Sequence, residues 1–185
     1  MPFRPTPKKK SPLDEAALYE YAIRALGRRM RTVAELKRMM RSRVEENESG
    51  EAKIDRVVAR LKEQRYLNDT SYAADYVRLR QENSSFGKRR VHQDLIQKGV
   101  HANVIAKTLD AAYESVSEED LIRRFLARKR IQKPTNDKES ARVVRMLVRA
   151  GFSTGTIFKT LKSWDVDENA LTALESIDSD ENTSE

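Results

Sequence analysis

Cysteine is absent from this sequence of 185 residues, and glycine, proline and aromatic residues are scarce. Without cysteine the chain has no disulfides, thiolate metal sites or cysteine nucleophile, which fits a reducing, cytoplasmic location. Only 6 glycines and 5 prolines occur, and three of the prolines fall in the first seven residues, so the remainder has few helix breakers. No apolar run approaches the ~20 residues that a membrane span needs. We therefore expect a helical protein with no membrane association.

The sequence also lacks the motifs that mark common catalytic and metal sites. His92 and His101 have no carboxylate at metal-ligand spacing. The segment Gly151-Phe-Ser-Thr-Gly155 has no lysine after it, which excludes a phosphate-binding loop of the Walker type. Glu118-Glu119 stands where acids complement a helix dipole. We expect no catalytic residue, no metal and no cofactor.

A threefold internal repeat is the main feature that the sequence does contain. Three basic amphipathic segments align with offsets of 56 and 52 residues, which pairs Met39 with Leu95 and Leu147, and Val44 with Val100 and Phe152. Apolar residues at helical spacing precede and follow each segment. The expected fold class is all-α, with nine helices in three tandem three-helix repeats that stack into an elongated, curved array.

Start and stop signals place the boundaries of these repeats. The predicted segments are a flexible basic arm (1–12), three repeats (13–67, 68–113 and 114–163) and an acidic tail (164–185). Thr32 and Glu35 form a capping-box pattern at a helix start. Gly99 and Gly151 stand where a helix ends in the left-handed conformation. A polar insertion at 45–51 predicts a longer loop in the first repeat.

Charge is unevenly distributed along the chain, whose net charge is +7. Residues 1–162 hold all 36 lysines and arginines against 21 acids, whereas residues 163–185 hold eight acids and no base. A basic body indicates a polyanionic partner, most simply nucleic acid, and solubility alone is the alternative. Arg142, Arg145 and Arg149 lie about one turn apart, so they share one helix face that suits phosphate contact. The third helix of each repeat offers few groups for reading base edges.

Several motifs follow one another along the chain in a characteristic order and spacing. Thr32-Val-Ala-Glu35-Leu36, Tyr66-Leu67-Asn68-Asp69 and Tyr72-Ala73-Ala74-Asp75 are similar to the first half of RecX-family proteins. Gly87-Lys-Arg-Arg90, Leu95-Ile-Gln-Lys98-Gly99-Val100 and Arg149-Ala150-Gly151-Phe152-Ser153 resemble their second and third repeats, so the likeness covers roughly 14–162. Ser42-Arg43 departs from the Lys-Gly-type turn of the family, and the acidic tail after Trp164 lies outside the pattern.

The resemblance implies a non-enzymatic regulator that binds the RecA nucleoprotein filament, lies along its groove and inhibits strand exchange, ATP hydrolysis and co-protease function in DNA repair and recombination. It implies sequence-independent contact with single- or double-stranded DNA, and we expect a monomer. The candidate contact residues are Arg28, Arg29, Arg31, Arg38, Arg41, Lys88, Arg89, Arg90, Lys98, Arg123, Arg124, Arg128, Arg142, Arg145 and Arg149. A helix-turn-helix transcriptional regulator is the alternative, and an adaptor that binds only protein is a third possibility.

Overall fold

The computed structural model describes residues 11–164, and all regular structure in that range is helical. The helices are α1 (Glu15–Arg28), α2 (Val33–Arg41), α3 (Glu48–Glu63), α4 (Asp69–Ser84), α5 (Lys88–Gln97), α6 (Ala102–Tyr113), α7 (Glu118–Arg128), α8 (Asp137–Arg149) and α9 (Thr154–Lys162). They follow one another in three sets of three, which confirms the predicted all-α fold of three-helix repeats. Most of the predicted basic arm, and the acidic tail from residue 165 on, lie outside the described residues.

Short polar side chains fix the helix starts. The Thr32 hydroxyl accepts from the Glu35 amide at 3.1 Å, and the Glu35 carboxylate accepts from the Thr32 amide at 3.4 Å, which confirms the capping box. Asn47 caps α3, so the helix starts at Glu48 and takes up residues that the sequence assigned to a longer loop. The link of residues 42–47 is longer than the links 98–101 and 150–153, as predicted, but it ends before residue 51 because the glutamates of the insertion favour the first turn of a helix.

The helices pack into two compact units. One contains the described residues up to Ala73 together with Gln97–Val104, and the other contains Ala74–Ile96 and the residues from Ile105 on. The second repeat therefore contributes to both units. Its predicted boundaries, and the elongated, curved arrangement of the repeats, stay predictions.

Each unit has an apolar core from the predicted helix faces. In the first, Leu18, Leu36 and Leu61 are fully buried between α1, α2 and α3. Met40 is fully buried, whereas Met39 only borders the core, so the alignment of Met39 with Leu95 and Leu147 was off by one residue. In the second, the ring of Phe125 lies 6.3 Å from that of Phe86 and 5.8 Å from that of Phe152. Aromatic side chains thus fill the middle of the second core.

A contact between neighbouring repeats, which we call the glycine joint, occurs twice within residues 11–164, once in each unit. In both cases the start of the second helix of one repeat lies against the glycine turn that ends the second helix of the next repeat. In the first unit, Thr32 donates from its hydroxyl to the carbonyl of Lys98 at 2.6 Å, and Gly99 lies against Ala34. In the second unit, the Gly87 amide donates to the Ala150 carbonyl at 2.9 Å. Neighbouring repeats are therefore joined at their glycine turns, through the Thr32 side chain in the first unit and through main-chain atoms in the second.

The first repeat has no glycine in its own turn, and the structure gives the reason. The carbonyl of Arg43 accepts from the amide of Leu13 at 2.7 Å, and the Arg43 guanidinium lies 4.8 Å from the ring centre of Tyr21. This turn is covered by the segment that leads into α1. Ser42-Arg43 can therefore replace the Lys-Gly-type turn without loss of a joint.

Candidate anion-binding surface

Helix α8 presents three arginines on its exposed face. Val143, Val144 and Leu147 are buried on the opposite side, and Arg142, Arg145 and Arg149 are exposed. None of the three forms an ion pair within residues 11–164. The three side chains therefore share one exposed face, as the spacing predicted.

The glycine joint of the second unit brings the start of α5, which carries further exposed cations, next to the end of α8. The Arg89 amide donates to the Gly151 carbonyl at 3.3 Å, and Arg149 is two residues before that glycine. The start of α5 and the end of α8 are thus in direct main-chain contact, although 60 residues separate Arg89 from Arg149. We call five of the exposed cations on these two helices the joint surface: Lys88, Arg89, Arg142, Arg145 and Arg149.

A cavity of about 490 Å³ opens next to the joint surface. It is lined by Lys88, Arg89, His92, Gln93, Leu109, Glu118, Gly151 and Ser153. Two of these groups are cations that belong to the joint surface, and Lys88 also pairs with the exposed carboxylate of Asp110 at 2.7 Å. Exposed pairs of this kind are weak, so the ammonium group can exchange Asp110 for an anionic partner.

Glu118 is the acid in this cavity, and it holds the start of α9. Its carboxylate accepts from the Ser153 amide at 2.8 Å, from the Ser153 hydroxyl at 2.5 Å and from the Thr156 hydroxyl at 2.6 Å. Burial opposes ionisation, but these hydrogen bonds and the charge of Arg89 lower the pKa of Glu118 below its ordinary range. The group is therefore ionised at neutral pH and serves a structural role.

Arg90, although exposed, is tied to a buried acid that sequence reasoning missed. Its Nε lies 3.1 Å from Oδ1 of Asp94, which is nearly buried between α4 and α5. The Tyr76 hydroxyl donates to Asp94 at 2.9 Å, and Arg80 lies 3.8 Å away. The sequence did indicate this pair, because Asp94 stands between Val91 and Leu95 on the apolar face of α5. A buried carboxylate needs cationic or hydrogen-bond-donating partners. Arg90 therefore supports the fold as well as the charge of the surface.

The remaining candidate residues differ in whether they already form ion pairs or hydrogen bonds with other groups of the protein. Arg28, Arg29 and Arg38 are exposed and form no ion pair in the described part of the chain. Arg41 forms an ion pair with Glu51, Lys98 with Glu35, and Arg123 with Asp120 and Glu119. Backbone carbonyls accept from Arg31, Arg124 and Arg128, the last bonding Glu82 at 2.8 Å. The candidates up to Arg41, together with Lys98, belong to the first unit, and the others belong to the second.

Two further findings concern residues 11–164 only. No group of three or more histidine, cysteine, aspartate or glutamate side chains in this range is arranged to hold a metal ion. None of its helices combines the length and apolar character that crossing a bilayer requires.

Comparison with known sequences identifies related proteins. Residues 68–109 match the profile of the second three-helix domain of RecX. A regulatory protein RecX of Myxococcus xanthus is 35% identical over 175 residues, covering 85% of this chain and 89% of the relative. That of Mycobacterium marinum is 32% identical over 152 residues, covering 80% and 85%. That of Oceanobacillus iheyensis is 26% identical over 165 residues, and the chain spans 58% of its length.

Solved structures show the same fold. The crystal structure of RecX from Lactobacillus salivarius matches with a TM-score of 0.64 at 20% identity, covering 82% of this chain and 96% of the other. A second crystal structure, of a regulatory protein RecX, also matches with a TM-score of 0.64, at 21% identity, covering 80% and 71%. The arrangement of helices is thus shared with solved structures whose sequences differ widely from this one.

Proposed function

Because the chain belongs to the RecX family of regulatory proteins, we propose that it binds the RecA nucleoprotein filament on DNA and inhibits RecA. Inhibition would extend to strand exchange, ATP hydrolysis and co-protease function. The protein would act by occupying the filament and would have no chemistry of its own.

The observation that carries this proposal is the joint surface. Main-chain contact at Gly87 and Gly151 brings the start of α5 next to the end of α8, and both segments carry exposed cations. The exposed arginines of α8 extend the positive charge along one helix face. A row of guanidinium groups with a common direction suits a regular polyanion such as a DNA backbone. A filament presents that backbone at a repeating spacing, which a row of cations can follow.

The type of side chain indicates contact without base reading. The joint surface consists of arginine and lysine, and these bind phosphates through charge regardless of sequence. Its contribution to binding should therefore fall steeply with salt. Loss of three phosphate contacts on single-stranded DNA would change the slope of log affinity against log salt by about 2.

The proposal is tested by the ATPase activity of RecA on single-stranded DNA in the presence of a triple variant, Arg89→Ala, Arg145→Ala and Arg149→Ala. We expect half inhibition to require at least tenfold more of the variant than of the natural protein. The slope of log affinity against log salt should change by about 2. The thermal midpoint should change little, since exposed cations contribute about 0–1 kcal/mol to folding. Arg90 is left in place because its ion pair with Asp94 supports the fold.

A matched control removes the same charge elsewhere in the same unit. Arg78, Lys107 and Lys129 are exposed and lie outside the joint surface, so their triple change to alanine should leave inhibition intact. Equal weakening by both triple variants would show that net charge matters and the joint surface does not. No effect of the natural protein on the ATPase, together with salt-dependent binding to bare DNA, would favour a DNA-binding regulator instead.

A further inference from the structure

Two large apolar side chains in the first unit are exposed side by side. Met30, in the link between α1 and α2, is 52% exposed, and Tyr66, in the link between α3 and α4, is 60% exposed. Both line one cavity of about 480 Å³, together with Leu26 on its apolar side. Paired exposure around one cavity is unusual for isolated surface residues and is typical of an interaction site. We call this the Met30–Tyr66 surface.

The charge around this surface has one sign. Arg31 and Arg65 line the cavity, and no acid does so among the residues that the structure describes. Arg28 and Arg29 precede Met30 in the chain, and both are exposed without an ion pair in residues 11–164. The surface therefore complements an acidic partner that also carries an apolar side chain.

Tyr66 stands at a turn position where two other turns bury an apolar side chain. Tyr66, Ile131 and Phe152 each follow a left-handed residue, but Ile131 and Phe152 pack in or against the second core, whereas Tyr66 is exposed. Arg65 has a φ of 60°, a left-handed conformation that favours glycine, yet this position carries a guanidinium group.

We propose that the Met30–Tyr66 surface binds an acidic protein segment of the RecA filament that inserts an apolar side chain between Met30 and Tyr66. This inference rests on the proposed function, and it assigns the contact to the protein component of the filament. Tyrosine, methionine and arginine are enriched in the cores of protein interfaces and lysine is depleted, which matches the cavity lining. A single-stranded DNA site is less well matched, because only one aromatic ring is available for stacking.

The test measures the affinity of a double variant, Met30→Ser and Tyr66→Ser, for two probes. One is RecA assembled on a single-stranded oligonucleotide, and the other is the same oligonucleotide without RecA. We expect at least a tenfold loss of affinity for the filament and less than a twofold change for the bare oligonucleotide. Leu79→Ser is the matched control, since Leu79 is 45% exposed and lies outside the cavity, and it should bind both probes as the natural protein does.

A second variant separates recognition from folding. Arg65→Gly removes the charge and relieves the left-handed backbone, so it should raise the thermal midpoint while lowering the affinity for the filament. A purely structural role for Arg65 would not move these two readouts in opposite directions.

The possible failures are distinguishable. Unchanged filament affinity in the double variant, with the natural protein bound, would overturn the Met30–Tyr66 assignment alone. An equal loss on the bare oligonucleotide would show a nucleic-acid site there. Absence of any filament binding by the natural protein would overturn both the proposed function and this inference.

Discussion

At the scale of single residues, Gly151 meets two requirements that only glycine among the amino acids can meet. Its φ of +87° lies in the region that side chains with a Cβ rarely adopt. A Cβ there would also overlap the backbone of Arg90 at the glycine joint. Gly99 has the same two constraints, with a φ of +72° and Ala34 as its neighbour. The positive φ is expected from a helix end, but the close approach is visible only in the folded chain.

Replacing Gly151 with alanine should therefore cost more than a change of conformation alone. The left-handed backbone would cost about 1–2 kcal/mol, and the overlap with Arg90 would bring the total to about 2–4 kcal/mol. Denaturant unfolding measures this loss. Gly155→Ala is the control, because that glycine lies in α9 with nothing near its Cβ position, and the change should stabilise by about 0.5 kcal/mol. Equal effects of the two substitutions would contradict the role of the joint.

Arg130 shows the reverse case, a side chain where glycine would serve better. It follows α7 with a φ of 53°, and its amide donates to the Ala127 carbonyl at 3.0 Å. Arg130→Gly should raise the free energy of unfolding by about 1 kcal/mol, because the left-handed conformation is strained for residues other than glycine. Lys129→Gly, one residue earlier at a φ of −81°, should instead lower it. A lower stability for Arg130→Gly would refute this account.

At the scale of helices, Glu118 links the first turn of α7 to the first turn of α9. One carboxylate thereby satisfies the Ser153 amide and the hydroxyls of Ser153 and Thr156. These bonds require the ionised form, which is why its pKa is lowered despite burial. The packing of α7 against α9 is thus sensitive to acid.

The pH dependence follows from the direction of this shift. The stability that Glu118 supplies is fully present above its ordinary pKa of 4.5 and is lost as the pH falls from there through the lower folded value. Glu118→Gln should cost about 1 kcal/mol at pH 7, because a neutral acceptor forms weaker hydrogen bonds. Thermal unfolding of both proteins should show this difference shrinking below pH 4.5. A difference that stayed constant with pH would contradict an ionised Glu118.

At the scale of the whole molecule, much of the fold was predictable, because helix stripes and caps are local. Thr32, Gly99 and Gly151 were identified from sequence with their correct roles. Met40 was missed in favour of Met39, since insertions shift a repeat alignment by single residues. The contact of Arg89 with the α8 turn and the burial of Asp94 were not predictable, because both depend on packing between distant segments.

Net charge provides a test that involves the entire chain. Residues 165–185 lie outside the described part, but their sequence adds eight acids and no base, so a truncation after Trp164 raises the net charge from +7 to +15. Trp164 is kept because it packs against the core of the second unit. If the acidic tail competes with polyanions for the basic body, truncation should tighten filament or DNA binding at least about threefold at low salt.

A full-length control with the eight acids changed to asparagine or glutamine separates charge from chain length. Competition by charge predicts that this control binds as tightly as the truncated chain. Identical affinities of the natural and truncated proteins across a salt titration would show that the tail has no such role.

The two sides of the glycine joint differ: one side is the start of a helix, and the other is the glycine turn that ends a helix. Within residues 11–164, both glycine turns of this kind are already seated, on the starts of α2 and α5. The first repeat offers Arg43 in place of a glycine turn, and the start of α8 is covered by the bonds of Thr135 to Glu139 at 2.8 and 3.0 Å. A second copy thus has no unseated turn to offer to α8. Among the described residues, the glycine joint therefore leaves no glycine turn free to contact a second copy.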